Sequence, residues 1–206
     1  MLMDVRTTKR LLREEIWKEL EAKGVARFPL PCYGRIPNFE GSVEAADRLR
    51  ASAEWIYANL VFVSPDFAQR KVRENTLSDG KILVMASPKL QHGYVVVHPD
   101  DVRGLTVSAS TIKGAFKHGK IVGSQEIPRP DLVIEGAVAV DMQGNRLGKG
   151  GGYGDAEKKT LKTRFGSIPV AATVHDLQVV KAVPFEDKDE KIQMIVTPTR
   201  LIRLTN

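Results

Sequence analysis

Hydrophobic residues recur along this chain in two alternating patterns, one helical and one extended. Over 8–23, apolar side chains repeat at about every fourth position, which predicts an amphipathic helix. Similar spacing predicts helices over 43–58, 66–77, about 108–118 and 156–165. Between them lie short apolar runs, at 60–63, 82–85, 95–97, 120–122, 132–140, 169–174 and 194–196. This alternation is typical of an α/β domain whose strands are covered on both faces.

The pattern predicts one domain over 1–206, built on a largely parallel sheet. No apolar run approaches the roughly 20 residues that span a bilayer, so we expect no membrane segment. The N-terminus lacks the apolar stretch of a secretory signal. The single cysteine, Cys32, cannot form an internal disulfide, which fits a reducing compartment. We therefore expect a cytoplasmic protein.

The chain carries a net charge of +6, from 31 basic and 25 acidic residues. The excess is spread thinly, with no basic tail and no run of five like charges. Nucleic acid therefore remains a possible but weakly supported partner. A small anionic ligand met by a few local cations fits the distribution better.

Glycine is concentrated at one point, because five of the 17 glycines fall within 148–154. This segment joins a predicted buried strand to a predicted helix, and Arg146 and Lys149 place cations beside it. Glycines let backbone N–H groups converge on an anion, so a phosphate cradle is one interpretation. The other is a flexible surface turn. The spacing matches neither the Walker A loop nor the dinucleotide-binding fingerprint.

Three further side chains are candidates on chemical grounds. His175 and Asp176 follow a predicted strand and are suited to acid–base work, although a structural histidine fits equally well. Glu135 interrupts an apolar strand, and a buried carboxylate needs a partner.

At the glycine segment the sequence resembles the 5-formyltetrahydrofolate cyclo-ligase (methenyltetrahydrofolate synthetase) family. Members carry R-L-G-x-G-x-G-Y-Y-D after a strand, and residues 146–155 read RLGKGGGYGD. Lys9 and Arg13 match a lysine and an arginine in the family's first helix, and Gln178 matches a glutamine before a late proline. The segments RIPNF at 35–39 and TPTR at 197–200 are similar to a divergent branch, the methenyltetrahydrofolate synthetase domain-containing proteins.

This resemblance implies a three-layer α/β/α sandwich related to the NagB/RpiA/CoA-transferase-like fold. It also implies ATP- and Mg²⁺-dependent closure of 5-formyltetrahydrofolate to 5,10-methenyltetrahydrofolate, with release of ADP and phosphate. Carried over by motif, the residues that hold ATP phosphates are Lys9, Arg13, Arg146, Gly148, Lys149, Gly150, Gly151 and Gly152. Asp155 and Asp189 would hold Mg²⁺. Arg146 and Tyr153 would be catalytic, with Tyr153 also at the nucleotide and packed on the folate ring.

Two hypotheses remain open after this comparison. In the first, the protein is a cyclo-ligase acting on a reduced formyl-folate or formyl-pterin. In the second, it is a non-catalytic member that binds a nucleotide or RNA as an interaction module. The second arises because active members carry an E-x-x-T-like segment after an early strand, whereas 71–76 reads KVRENT and Gly154 replaces a tyrosine.

Overall fold

The computed structural model describes residues 4–88, 91–151, 153–186 and 189–204. Within these ranges the α-helices are α1 Val5–Ala22, α2 Ser42–Arg50, α3 Ala53–Tyr57, α4 Arg70–Ser78, α5 Thr106–Ala109, α6 Ile112–His118 and α7 Tyr153–Phe165. Short 3-10 helices occupy Phe67–Gln69, Pro99–Val102 and Asp176–Gln178.

The strands begin with β1 Ala26–Arg27, β2 Asn38–Phe39, β3 Leu60–Val63, β4 Ile82–Ala86, β5 Tyr94–Val97, β6 Lys120–Val122 and β7 Leu132–Glu135. They continue with β8 Ala139–Asp141, β9 Arg146–Leu147, β10 Val170–Thr173, β11 Val179–Val180, β12 Met194–Val196 and β13 Leu201–Arg203.

Eight strands form a central sheet in the order β13-β12-β10-β7-β3-β4-β5-β6. The five strands from β12 to β4 run parallel to one another, while β13 and β5 are antiparallel to their neighbours. Crossovers between the parallel strands place helices on the faces of the sheet. The predicted α/β fold with a largely parallel sheet is confirmed.

Both faces of this sheet are buried, as the uninterrupted apolar runs predict. In β3, Val61 and Val63 join one hydrophobic cluster, while Leu60 and Phe62 join another. Helices α2 to α6 contribute to the first cluster, and α7 contributes Leu161 to the second. Alternate side chains of a strand point to opposite faces, so the sheet lies between two layers.

A third cluster holds the N-terminal helix against a smaller sheet. Ile16, Trp17 and Leu20 of α1 pack with Ala139 of β8 and Leu147 of β9. Strand β8 lies between β11 and β9 in this three-stranded sheet. The packing brings the half-buried Arg13 of α1 alongside the segment that follows β9.

The apolar run 132–140 was expected to form one strand, and that prediction is wrong. It divides at Gly136 into β7 of the large sheet and β8 of the small one. A Cβ on Gly136 would lie 2.4 Å from Ile36 Cγ2 and 2.6 Å from Gln69 Oε1, so the backbone turns where only glycine fits. Hydrophobicity alone did not reveal this break.

Two predicted helices are also divided, each at a capping hydroxyl. Ser52 begins α3 by accepting from the Trp55 N–H at 3.2 Å, and Thr111 begins α6 by accepting from the Gly114 N–H at 2.9 Å. Serine and threonine are favoured at helix N-termini because they satisfy N–H groups without an intrahelical partner.

Candidate active site

A cavity of about 930 Å³ opens where the parallel strands of the large sheet end. Its floor is formed by Ser64 to Asp66 after β3, Ser87 after β4 and Glu135 at the end of β7. Helix α1 and the glycine segment after β9 form another wall. Ligand sites in open α/β sheets lie at this edge, and the volume suits a small-molecule ligand.

The glycine segment lies against the arginine of α1. Arg13 Nε donates to the Gly148 carbonyl at 2.7 Å. Gly150 has a φ of +101°, in the left-handed region that favours glycine, and a Cβ there would sit 3.6 Å from Arg13 Cζ. Gly148, Gly150 and Gly151 all line the cavity, whereas Gly152 lies outside the described residues. The predicted neighbourhood of Arg13 and the loop is thus present in the structure.

Arg146 and Glu135 form a buried ion pair in the cavity wall. The Arg146 Nε lies 2.7 Å from Glu135 Oε2, and the two side chains are only 6% and 5% exposed. Arg146 Nη1 also donates to the Gly136 carbonyl at 2.9 Å. The carboxylate that interrupts an apolar strand therefore has a cationic partner. The attraction of Glu135 and the hydrogen bond to the Gly136 carbonyl together keep the guanidinium beside the cavity.

Lys9 of α1 meets two carboxylates at the other end of the chain. Its Nζ lies 2.5 Å from Asp189 Oδ2 and 3.1 Å from Glu186 Oε2. Burial lowers the pKa of Lys9, but the hydrogen bonds and charges of Asp189 and Glu186 dominate, so the pKa lies above its ordinary value. All three residues line the cavity, so a charged cluster stands at its edge.

Lys149 of the glycine segment reaches across to the loop after β3. Its Nζ lies 2.7 Å from Asp66 Oδ1, and its side chain is 40% exposed. A partly exposed pair of this kind contributes little to stability, so it can open at small cost. Lys149 is thereby held near the cavity without being committed to one partner.

His175 and Gln178 form a cap away from this cavity. His175 Nδ1 accepts from the Leu177 N–H at 3.1 Å, and Gln178 Oε1 accepts from the His175 N–H at 2.7 Å. Gln178 Nε2 also donates to the Ala137 carbonyl at 2.7 Å. Neither residue lines the cavity. Their contacts fix the turn after β10 to the chain between β7 and β8.

Asp176 also has a structural role, because it accepts hydrogen bonds from the turn between β12 and β13. Its Oδ1 accepts from the Thr197 hydroxyl at 2.8 Å and the Thr199 hydroxyl at 2.7 Å. Burial raises the pKa of this carboxyl, but hydrogen bonds from Thr199, Thr197 and Arg200 outweigh burial, and the pKa lies below its ordinary value. Asp176 does not line the cavity. The structure therefore does not bring the His175–Asp176 pair to the other candidates.

A buried arginine of the cavity wall was not anticipated from the sequence. Arg73 of α4 is only 2% exposed, and burial lowers its pKa to about 10. It donates to the carbonyls of Ser110 at 2.7 Å, Ser64 at 2.6 Å and Asp66 at 3.0 Å. The sequence shows only that Arg73 follows the apolar Val72 within the helix predicted over 66–77. A cation at such a position usually lies at the solvated edge of a helix, so no sequence pattern placed it in a cavity.

Of the two predicted magnesium ligands, the structure describes the side chain of Asp189 but not that of Asp155. The side chains of Tyr153 and Asp155 lie outside the described residues, although both belong to α7. Glu186 and Asp189 offer carboxylate oxygens at the cavity edge, which suit a hard cation such as Mg²⁺. Among the described residues, no group of three His, Cys, Asp or Glu side chains is arranged to hold a metal ion.

The described helices include none with the length and apolar character needed to cross a bilayer.

Comparisons with known proteins identify the family of this chain and proteins of similar fold. The model of the 5-formyltetrahydrofolate cyclo-ligase family matches residues 5–198. The chain is 35% identical over 205 residues to a methenyltetrahydrofolate synthase domain-containing protein of Mus musculus, covering 95% of this chain and 55% of that protein. The human protein of the same name is 33% identical over 208 residues, covering 96% and 54%. The chain thus spans about half the length of these curated relatives.

Similarity extends to a cyclo-ligase and to solved structures. A 5-formyltetrahydrofolate cyclo-ligase of Escherichia coli K12 is 36% identical over 77 residues, which is 36% of this chain and 40% of that protein. The structure of Aquifex aeolicus 5,10-methenyltetrahydrofolate synthetase superposes with a TM-score of 0.63 at 19% identity, covering 96% and 93% of the two chains. The Mycoplasma pneumoniae synthetase gives 0.56 at 12% identity, covering 92% and 98%.

The family model spans nearly all of the chain, and the fold agrees with that of two synthetases of this family. This chain therefore belongs to the 5-formyltetrahydrofolate cyclo-ligase family.

Proposed function

We propose that this protein uses ATP and Mg²⁺ to cyclise 5-formyltetrahydrofolate, or a related formyl-pterin, to the 5,10-methenyl product, releasing ADP and phosphate. The observation that carries the proposal is a cavity at the carboxyl edge of the sheet whose wall includes the glycine segment and the four cations expected at the phosphates. They are Lys9, Arg13, Arg146 and Lys149. Family membership supports the reaction class.

The glycine segment supplies the nucleotide side of the cavity. Arg13 bonds to the Gly148 carbonyl, so the guanidinium and the loop backbone are held together before a ligand arrives. Backbone N–H groups of the loop and the N-terminal end of α7 favour phosphate oxygens. Preorganisation of this kind reduces the ordering that binding requires.

Two lysines are placed to exchange partners when phosphate binds. Lys149 contacts Asp66, and Lys9 contacts Glu186 and Asp189. A hydrogen bond to a charged group contributes about 1.5–3 kcal/mol, whereas an exposed ion pair contributes about 0–1 kcal/mol. The exposed Lys149–Asp66 pair is the weaker of the two contacts, so Lys149 is the lysine that moves to the phosphate more readily.

The chemistry requires two successive steps at the formyl group, and in each step one bond forms and one bond breaks. The formyl oxygen attacks the terminal phosphorus of ATP, and the bond from that phosphorus to ADP breaks. The secondary amine nitrogen that neighbours the N-formyl group then attacks the formyl carbon, and the carbon–oxygen bond breaks, so phosphate departs together with the proton that the amine loses. The protein's task is to align these groups and stabilise charge on the transferring phosphoryl, for which the Arg146 guanidinium is held in place by Glu135.

Asp189, with Glu186 beside it, would hold Mg²⁺ together with Asp155. Their oxygens suit this ion, and both described carboxylates line the cavity. When bound, Mg²⁺ would neutralise phosphate charge. Lys9 pairs with both of these carboxylates, so it holds them together at the cavity edge.

Absorbance in the methenyl band is the direct test. Purified protein is incubated with ATP, Mg²⁺ and 5-formyltetrahydrofolate, and ADP is measured in parallel. We expect the band to rise with one ADP released per product. Folded protein that yields neither product nor ADP contradicts the proposal for this substrate, and omission of Mg²⁺ is the control.

A second candidate function is supported by the segment 71–76. Glu74 pairs with Lys71 at 2.6 Å, and the buried Thr76 hydroxyl donates to the Val72 carbonyl at 2.8 Å. Neither Glu74 nor Thr76 lines the cavity, so these side chains do not form a substrate contact of the family's E-x-x-T kind. A non-catalytic module that binds a nucleotide or RNA would fit this arrangement. This second function predicts that a nucleotide or RNA binds without turnover. If the ligand is RNA, its affinity should fall steeply as the salt concentration rises.

A further inference from the structure

Arg73 is a buried cation that is not one of the four cations assigned to the nucleotide. Its bonds to Ser110, Ser64 and Asp66 are made by Nε and Nη1. No described residue accepts a hydrogen bond from Nη2, and no described carboxylate forms an ion pair with the guanidinium. The side chain is 2% exposed and lines the cavity.

This arrangement leaves a charge only partly compensated. Three carbonyl dipoles orient the guanidinium, but a dipole offsets less of the desolvation of a cation than an anion does. Arginine also presents its donors in a planar fork that matches an oxyanion. A negatively charged or strongly polarised oxygen in the cavity would supply the missing acceptor for Nη2.

The wall that carries Arg73 differs from the wall that carries the glycine segment. The carbonyls that hold Arg73 belong to the loop after β3 and to the junction of α5 and α6. The four cations assigned to the nucleotide come from α1, from β9 and from the segment after it. Arg70, one turn before Arg73 on α4, also lines the cavity, and its Cζ lies 5.9 Å from the Phe67 ring centre. An aromatic and cationic surface thus adjoins Arg73.

We infer that Arg73 recognises an anionic or carbonyl oxygen of the ligand that shares the cavity with the nucleotide. Where that ligand is taken to be a formyl-pterin, the inference rests on the proposed function. The acceptor is then either a ring or formyl oxygen or an oxygen of the benzoylglutamate tail. In both cases Arg73 contributes to the affinity for the second ligand and not to the affinity for ATP.

Binding measurements on Arg73→Lys test this assignment. Calorimetric titrations use 5-formyltetrahydrofolate, a tail-free 5-formyltetrahydropterin and a non-hydrolysable ATP analogue. We expect Arg73→Lys to weaken 5-formyltetrahydrofolate binding about tenfold or more, because lysine lacks the planar fork, and to leave the affinity for the ATP analogue unchanged. Arg103→Lys, whose side chain is 82% exposed and pairs with Asp100, is the matched control.

The two folate probes separate the two oxygen sources. A loss that persists with the tail-free pterin assigns the contact to a ring or formyl oxygen, and a loss only with the intact folate assigns it to an oxygen of the benzoylglutamate tail. The inference is overturned if folded Arg73→Lys binds 5-formyltetrahydrofolate as the wild type does. It is equally overturned if only the affinity for the ATP analogue falls.

Wild-type protein gives a second test that does not depend on the folding of a variant. Sulfate, titrated against chloride at equal ionic strength, should compete with 5-formyltetrahydrofolate while the ATP analogue is bound. Competition with the ATP analogue alone overturns the inference. If sulfate competes with 5-formyltetrahydrofolate but no methenyl product forms, the proposed function fails and the inference stands. If product forms and Arg73→Lys turns over with unchanged KM, the inference fails and the function stands.

Discussion

At the scale of single residues, the cavity is defined by how its cations are paired. Arg146 is fixed by a buried carboxylate, Lys9 by two carboxylates at the cavity edge, and Arg13 by a loop carbonyl. These contacts place positive charge around one volume without a bound ligand. Opposite charges and carbonyls near each cation limit its movement, so the site is largely formed in advance.

Arg13→Ala should weaken ATP binding about tenfold to a hundredfold, because it removes a charged donor beside the loop. Equilibrium titration with ATP measures the effect. Arg10→Ala is the matched control, since Arg10 lies on the same helix, is exposed and pairs with Glu14 within one turn. Unchanged ATP affinity in folded Arg13→Ala would remove the phosphate-cradle assignment.

At the scale of elements, the turns that interrupt strands position the site more than the regular strands do. The end of β7 at Glu135 and the turn at Gly136 bring the buried carboxylate to Arg146 of β9. The sequence predicted the apolar run but not its division. Tight packing against Ile36 and Gln69 decides that division, and packing between distant segments leaves no local pattern.

Gly136→Ala should destabilise the protein by about 1–3 kcal/mol, the usual effect of forcing an extra carbon into a packed interior. The added Cβ would meet Ile36 Cγ2 at 2.4 Å. Urea unfolding measures the change. Gly123→Ala is the control, because a Cβ there meets only the flexible Glu126 side chain, at 3.4 Å. Equal stability of the two variants would show that the turn accepts a side chain.

Asp176 accepts hydrogen bonds from the turn between β12 and β13, and we expect its contribution to stability to depend on pH. Its pKa lies below the ordinary value, so its stabilising contribution is full above the ordinary pKa of an aspartate and is lost as pH falls through the lowered pKa. We expect Asp176→Asn to be less stable than the wild type at neutral pH, with the difference shrinking below about pH 4. Unfolding free energies measured from neutral to acidic pH give the comparison. A difference independent of pH would contradict the assigned role of the carboxylate.

At the scale of the whole molecule, three hydrophobic clusters pack against the eight-stranded and three-stranded sheets. Trp55 belongs to the cluster on one face of the large sheet, and Trp17 belongs to the cluster beneath α1. Strand β7 leads directly through Gly136 into β8, so the clusters are joined by buried chain. We expect this connection to make the domain unfold as one unit.

The two tryptophans provide local probes of that cooperativity. With Trp17→Phe and Trp55→Phe, each remaining tryptophan reports on one cluster, since the chain contains two. Fluorescence and far-ultraviolet circular dichroism should give coincident urea transitions within each variant. Separate transitions for the two clusters would contradict the single domain expected over 1–206.

The sequence by itself determined the α/β class, the parallel sheet and the glycine segment beside cations, because these follow from local periodicity and from spacing along the chain. The family motif also placed Lys9, Arg13 and Arg146 at one site, as the cavity does. Only the tertiary structure decided that Arg146 pairs with Glu135, that Lys149 reaches Asp66 and that Arg73 enters the cavity. It also placed His175 in a helix cap and Asp176 against the turn between β12 and β13. The reason is physical: periodicity records which face of an element is buried, whereas partners far apart in sequence are set by how the elements pack.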